Sequence, residues 1–258
     1  MNSEIKFHCK DQGSGVPVVF IHGYPLDHSI WQNQFELSDT YRIFALDLPG
    51  MGKTPFYELE TIADYARWVN LCLRQKKIVR YHLLGHSMGG YIALEMLRQD
   101  DTADILSFTL VNSQPFADTQ EGVQNRYAMA ERIEKEGGAF VVDMMKIKML
   151  SANQPHLSGA IAPIMAQADF RAMVQGQRAM ARRDDNTDML IQSRVPKLII
   201  TGTDDLLVSE ERRKKMGELD QNIEFHMLQA SGHLSMMEKP EEVNRILRNF
   251  LRRQISIC

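Results

Sequence analysis

The chain has 258 residues, of which 44% are hydrophobic and 24% charged, with a formal net charge of −3 and a pI near 6.2. Length fits one large α/β domain or two small ones, and the charge excludes the basic surface that a phosphate backbone or an anionic lipid layer requires. Neither nucleic acid nor a membrane is an expected partner.

Three cysteines, Cys9, Cys72 and Cys258, are scattered, odd in number and without metal-ligand spacing, which points to free thiols in a reducing compartment. The first residues carry no apolar leader, and no apolar run approaches the ~18 residues of a membrane span. A soluble cytoplasmic protein is expected.

Residues 4–11 read as a first strand. Gly13-Ser14-Gly15 turns the chain into Val16-Pro17-Val18-Val19-Phe20-Ile21, apolar on both faces as a buried parallel strand should be. This run ends at His22-Gly23-Tyr24-Pro25, where an extended residue before proline places the Tyr24 amide where a ligand could meet it. His28 to Ser38 fits a short helix, and Tyr41 to Leu46 the next strand. The following Gly52-Lys53-Thr54 hints at a phosphate loop, but that pattern needs glycine five places before Gly52, where Asp47 stands. Nucleotide binding is rejected.

Thr61 and Asp64 form a capping-box signal for a helix reaching about Lys77. Tyr81-His82-Leu83-Leu84 is then a short apolar strand, Gly85-His86-Ser87-Met88-Gly89 a sharp turn, and the residues from Met88 to Leu97 a helix with Ile92, Ala93 and Met96 on one face. Strand, tight turn and helix around a GxSxG serine are the setting of a nucleophile elbow. There the serine projects from a strained turn, and the next amide, here that of Met88, faces the oxygen that becomes negative during acyl transfer. Ile105 to Val111 is another strand, so strand and helix alternate as a parallel sheet demands.

From about residue 115 to 192 the alternation stops. Glu121–Lys135, Ala139–Leu150, Ile161–Met165 and Phe170–Ala181 carry helical patterns only, and methionine concentrates there. This stretch reads as a helical cap inserted into one domain whose core comprises residues 1–114 and 193–258. Its methionines suit either an adaptable apolar pocket or the packing of the cap itself. Alternation resumes with Pro196 to Gly202, a helix from Ser209, a strand from Ile223 to Leu228, and a last helix opening at Pro240-Glu241-Glu242 and ending near Ile255.

A serine hydroxyl needs a base, and the base needs a carboxylate to fix its tautomer. Around such an elbow the partners follow in the order serine, acid, histidine, each after a strand. Asp204 and Asp205 follow the penultimate strand, and Gly232-His233 the last one. Of eight histidines, only His233 combines a loop after a strand, a preceding glycine and a place downstream of the acid. His22 is expected to anchor the Tyr24 loop, and His86 to pack or hydrogen-bond beside the turn. Adjacent aspartates point to opposite sides of an extended segment, so one of the two faces His233.

Taken together, His22-Gly23-Tyr24-Pro25, Asp47-Leu48-Pro49-Gly50-Met51-Gly52, Gly85-His86-Ser87-Met88-Gly89-Gly90, Gly202-Thr203-Asp204-Asp205 and Gly232-His233 resemble the α/β-hydrolase fold superfamily over essentially the whole chain. Arg178 to Thr187 is similar to a segment of its enol-lactonase-like members. The resemblance implies a mostly parallel sheet flanked by helices. It also implies a Ser87–His233–Asp205 triad, the acid lying three residues after Gly202, and an oxyanion hole of the Tyr24 and Met88 amides. Dehalogenases and epoxide hydrolases of the fold have aspartate where Ser87 stands. The implied function is hydrolysis of a small carboxylic ester or lactone, with no metal or organic cofactor. A cofactor-free perhydrolase, a carbon–carbon bond hydrolase and a small-molecule receptor with slow turnover stay open.

Overall fold

The computed structural model describes residues 4–99 and 104–255. Seven strands form one sheet: β1 (Cys9–Gln12), β2 (Pro17–Ile21), β3 (Arg42–Leu46), β4 (Tyr81–His86), β5 (Ile105–Val111), β6 (Lys197–Gly202) and β7 (Ile223–Leu228). Their order is β1-β3-β2-β4-β5-β6-β7, with only the β1–β3 pair antiparallel. The expected first strand is shortened at its start. Ile5, Lys6 and His8 turn their amides to the side chains of Gln75, Tyr57 and Thr54, and ladder pairing begins only at Cys9.

Alternation along β2 sorts the core into two layers. Val19 and Ile21 face one side with α1 (Ile62–Gln75) and α2 (Met88–Arg98), while Val18 and Phe20 face the other with α10 (Pro240–Ile255) and the 3-10 helix His28–Asp39. Both faces of the sheet are therefore covered, as a parallel sheet requires. The expected box at the start of α1 is formed, with the Asp64 amide donating to Thr61 Oγ1 (3.2 Å) and the Thr61 amide to Asp64 Oδ2 (2.9 Å).

Between β5 and β6 the chain is helical: α3 (Gln120–Glu136), α4 (Ala139–Lys148), a 3-10 turn at Pro155–Leu157, α5 (Ser158–Ala166), α6 (Phe170–Ala181) and α7 (Thr187–Gln192). Met149, Met165, Met173 and Met180 are buried and packed within the apolar layers. After β6 come α8 (Glu210–Gly217), β7, the four-residue α9 (Ser235–Glu238) and α10. α7 and α9 have no counterpart in the sequence reading, because each is too short to show a repeat of its apolar face.

Cys9 and Cys72 are free thiols, and Cys258 lies outside the described residues. No helix among the described residues is long and apolar enough to cross a membrane.

Candidate active site

The carboxyl ends of the neighbouring strands β2, β4, β5, β6 and β7 bring the candidate residues to one rim, the place where open parallel sheets bind ligands. β4 ends at His86 and α2 starts at Met88, so Ser87 alone makes the turn, with φ 49° and ψ −118°. A positive φ at a residue with a Cβ stores on the order of 1–3 kcal/mol and survives only where the surroundings impose it. Here the Ser87 amide donates to Val111 O (3.2 Å), while its carbonyl accepts from Ser113 Oγ (2.7 Å) and the Gly90 amide (2.9 Å). The flanking glycines are required by contact: a Cβ on Gly85 would lie 2.6 Å from Gly89 C, and one on Gly89 would lie 2.5 Å from His22 O.

His233 is buried, and its Nδ1–H donates to Asp205 Oδ1 (2.9 Å) and Oδ2 (2.8 Å). The imidazole meets Asp205 and not Asp204, whose amide instead bonds to Ser231 O (2.9 Å). With the proton on Nδ1, Nε2 is left as an acceptor, and it is buried without a hydrogen bond among the described residues. Burial alone would raise the Asp205 carboxyl. The adjoining His233 ring, hydrogen bonds from it and from Asn112, and the Leu207 amide (2.8 Å) together hold it below the usual carboxylate range.

Nothing in the sequence singles out Asn112 beyond its place just after β5. It sits at φ 46°, and its Nδ2 donates to both Asp205 Oδ2 (3.1 Å) and Gly232 O (3.0 Å), joining the acid to the histidine loop. The only sequence signal for it is a side chain with local hydrogen-bonding capacity just past a central strand, which tolerates the left-handed region. His86 does hydrogen-bond beside the turn, donating from Nε2 to His233 O (2.8 Å). Burial, above all, and the neighbouring His233 ring push the His86 pKa well down, so this ring is neutral.

The Tyr24 loop is anchored as expected. His22 Nδ1–H donates to Gly23 O (2.8 Å) and its Nε2 accepts from the Leu48 amide (2.9 Å). A Cβ on Gly23 would lie 2.9 Å from Ser87 Cβ, so the Gly23–Tyr24 peptide abuts the serine. The Tyr24 ring lies against Gly176 of α6, where a Cβ would come within 2.9 Å of it. Met88 is the first residue of α2, where no carbonyl of the same helix can satisfy its amide.

One group of three potential metal ligands converges among the described residues: His8, His28 and Asp47. The Asp47 oxygens already accept from His8 Nδ1 (2.8 Å), His28 Nδ1 (2.7 Å) and the amides of His28 (2.9 Å) and Lys53 (3.0 Å). Burial alone would raise this carboxyl, but the His28 bond and the backbone amides of Lys53 and His28 hold it far below its usual range. These donors give Asp47 a structural role in the Gly50–Thr54 turn and account for its place in a segment that resembles a phosphate loop.

The α/β hydrolase family model matches residues 18–246, from β2 into α10. The chain belongs to the α/β-hydrolase family. This α/β hydrolase is similar to a thermophilic esterase from Thermogutta terrifontis, solved with malate bound, at 29% identity and a TM-score of 0.90, covering 97% of this chain and 94% of that one. It is also similar to the AB hydrolase superfamily protein YisY of Bacillus subtilis, 26% identical over 259 residues and covering 95% of each. An enol-lactonase from Burkholderia xenovorans shares the fold, with a TM-score of 0.86 at 21% identity over 95% of this chain and 96% of that one. Membership of the family, together with relatives named as hydrolases and esterases, makes this α/β hydrolase an enzyme.

In this α/β hydrolase, the segment Arg178 to Thr187 contributes a buried arginine. The Arg183 guanidinium lies 4.2 Å from the centroid of the Tyr91 ring, and it donates to Met180 O (2.9 Å) and Asp118 Oδ1 (2.6 Å). It joins the end of α6 to the segment before α3.

Proposed function

We propose that the protein is a serine hydrolase of small carboxylic esters or lactones, with Ser87 as nucleophile, His233 as base, Asp205 as the carboxylate that orients it, and the Tyr24 and Met88 amides as oxyanion donors. One observation carries the reading: His233 is locked to Asp205 through Nδ1, which leaves Nε2 as a buried acceptor at the strand ends from which Ser87 projects. The named esterase and enol-lactonase among similar structures support an acyl substrate.

Ser87 Oγ attacks the carbonyl carbon while its proton passes to His233 Nε2. The negative oxygen of the tetrahedral intermediate takes hydrogen bonds from the two amides, whose dipoles are already aimed and need no reorganisation. Collapse breaks the acyl–oxygen bond, and His233 returns the proton to the departing alkoxide. Water, deprotonated by the same ring, cleaves the acyl-enzyme, and Ser87 recovers its proton. For a lactone both products remain one molecule, a hydroxy acid. The helices of residues 115–192 act as the cap over this rim, and the two free thiols suit a cytoplasmic enzyme.

A fluorophosphonate should label Ser87, and competition by a panel of esters, lactones and thioesters should rank the acyl group. A chain that does not label and turns over no member of the panel overturns the reading.

A further inference from the structure

The four polar backbone groups of Gly232 and His233 go to four different parts of the molecule. The Gly232 amide donates to Glu238 Oε1 (3.0 Å) and its carbonyl accepts from Asn112. The His233 amide donates to Met149 O (2.8 Å), and its carbonyl accepts from His86. Two of these partners belong to the sheet rim. Met149 stands at the end of α4, in the helical segment between β5 and β6, and Glu238 closes α9.

Glu238 also reaches the segment that carries Met149. Its side chain is buried, with 5% of the residue exposed, and while Oε1 holds the Gly232 amide, Oε2 accepts from the Ser151 amide (3.0 Å). No ion pair among the described residues includes Glu238. A carboxylate buried without a cation is costly unless charge-assisted hydrogen bonds take up its charge, and here two backbone amides do so. The junction is also tight: a Cβ on Gly232 would lie 2.5 Å from Ser151 N and 2.7 Å from Leu150 C.

We infer that Glu238 is a positioning residue: one oxygen grips the cap at Ser151, the other grips the loop that carries His233, and the placement of the base therefore depends on the seating of the cap. The inference rests on the hydrolase reading above. It requires two acceptor oxygens, so glutamine, equal in shape, should fail. One end of its amide would point N–H donors at a backbone N–H.

Glu238→Gln tests this, with Glu95→Gln as control. Glu95 is as buried, but among the described residues its side-chain hydrogen bonds go to Arg98 and Gln99 at the end of α2. In Glu238→Gln, kcat should fall 10- to 100-fold with KM within threefold, and fluorophosphonate labelling of Ser87 should slow by the same factor. The low-field NMR signal of the proton shared by His233 and Asp205 should shift or broaden. Glu95→Gln should lower Tm while keeping kcat and that signal. Glu238→Asp, which keeps the charge on a shorter arm, provides a second variant should the glutamine form fail to fold, and should show the same losses in smaller measure.

Glu238 variants with wild-type labelling rates and an unmoved signal overturn the inference. So does a loss of kcat that Glu95→Gln reproduces at an equal fall in Tm. Failure of the wild-type chain to label would instead strike the hydrolase reading, which separates the two.

Discussion

Nε2 of His86 donates a hydrogen bond to the backbone carbonyl of His233 across 2.8 Å, so the residue before the proposed nucleophile holds the peptide of the proposed base. Leucine at position 86 would leave that carbonyl buried and unpaired, a cost of about 1–3 kcal/mol. His86→Leu is expected to lower Tm and to reduce kcat at least tenfold. Denaturation and steady-state kinetics on one ester check both, and unchanged kinetics would confine His86 to packing.

Ser87→Ala should abolish turnover, a loss on the order of a million-fold in kcat in a serine hydrolase, and should keep Tm near that of the parent. Ser87→Gly should be as inactive yet more stable than Ser87→Ala, because glycine occupies φ 49° without a Cβ penalty. Thermal melts of the two variants decide it. Equal or reversed Tm values would show that the elbow stores no strain.

Asp205→Asn should cost about ten-thousand-fold in kcat, since the amide admits the wrong imidazole tautomer and removes the charge beside His233. Asp204→Asn should cost less than tenfold, or about 1.4 kcal/mol of transition-state stabilisation. The expected asymmetry follows from the contacts: Asp205 is buried against His233 and Asn112, and the Asp204 carboxylate bonds to Thr203 Oγ1 (2.9 Å). The larger loss in Asp204→Asn would reverse the assignment.

His82 supplies a pH dependence of stability. Its ring is buried beside Ser107, and burial pushes its pKa from 6.5 down to about 4. The unfolded chain therefore binds a proton that the folded chain refuses between those values. Stability is full above pH 6.5, falls as pH drops towards 4, and changes no further from this group below that. Between pH 7 and 5 the loss from this group is about 2 kcal/mol. His82→Gln should lose that much less over the same interval in urea titrations. An equal loss would assign the acid sensitivity elsewhere, with His22 and His86, also pushed down by burial, next in line.

Much of the frame was legible because it depends on runs. β5, β7, α6 and α10 fall where apolar spacing and a proline at a helix start placed them. Ser87 and His233 were legible because each follows a strand with a glycine nearby, whereas Asp205 was separated from Asp204 only by the family resemblance; the packing around Gly85, Gly89 and Gly232 explains those glycines as close backbone approaches. Asn112 and Glu238 left no such trace. Each acts through hydrogen bonds to residues far away in the chain, Asn112 to Asp205 and Glu238 to Ser151, and no local spacing encodes a partner that distant. The early start expected for β1 failed for a related reason. The side chains of Gln75, Tyr57 and Thr54 compete for the amides of Ile5, Lys6 and His8, and nothing near those residues announces it.

The sheet's polarity has a practical corollary. Since the proposed reactive groups all leave the carboxyl ends of parallel strands, the turns that feed the amino ends lie at the opposite pole of the molecule. Lys76 and Lys77 before β4, and Gln221 and Asn222 before β7, are exposed there. A tether, tag or solid support attached at those turns would leave the mouth of the enzyme turned towards the bulk solution, and substrate would reach it unhindered.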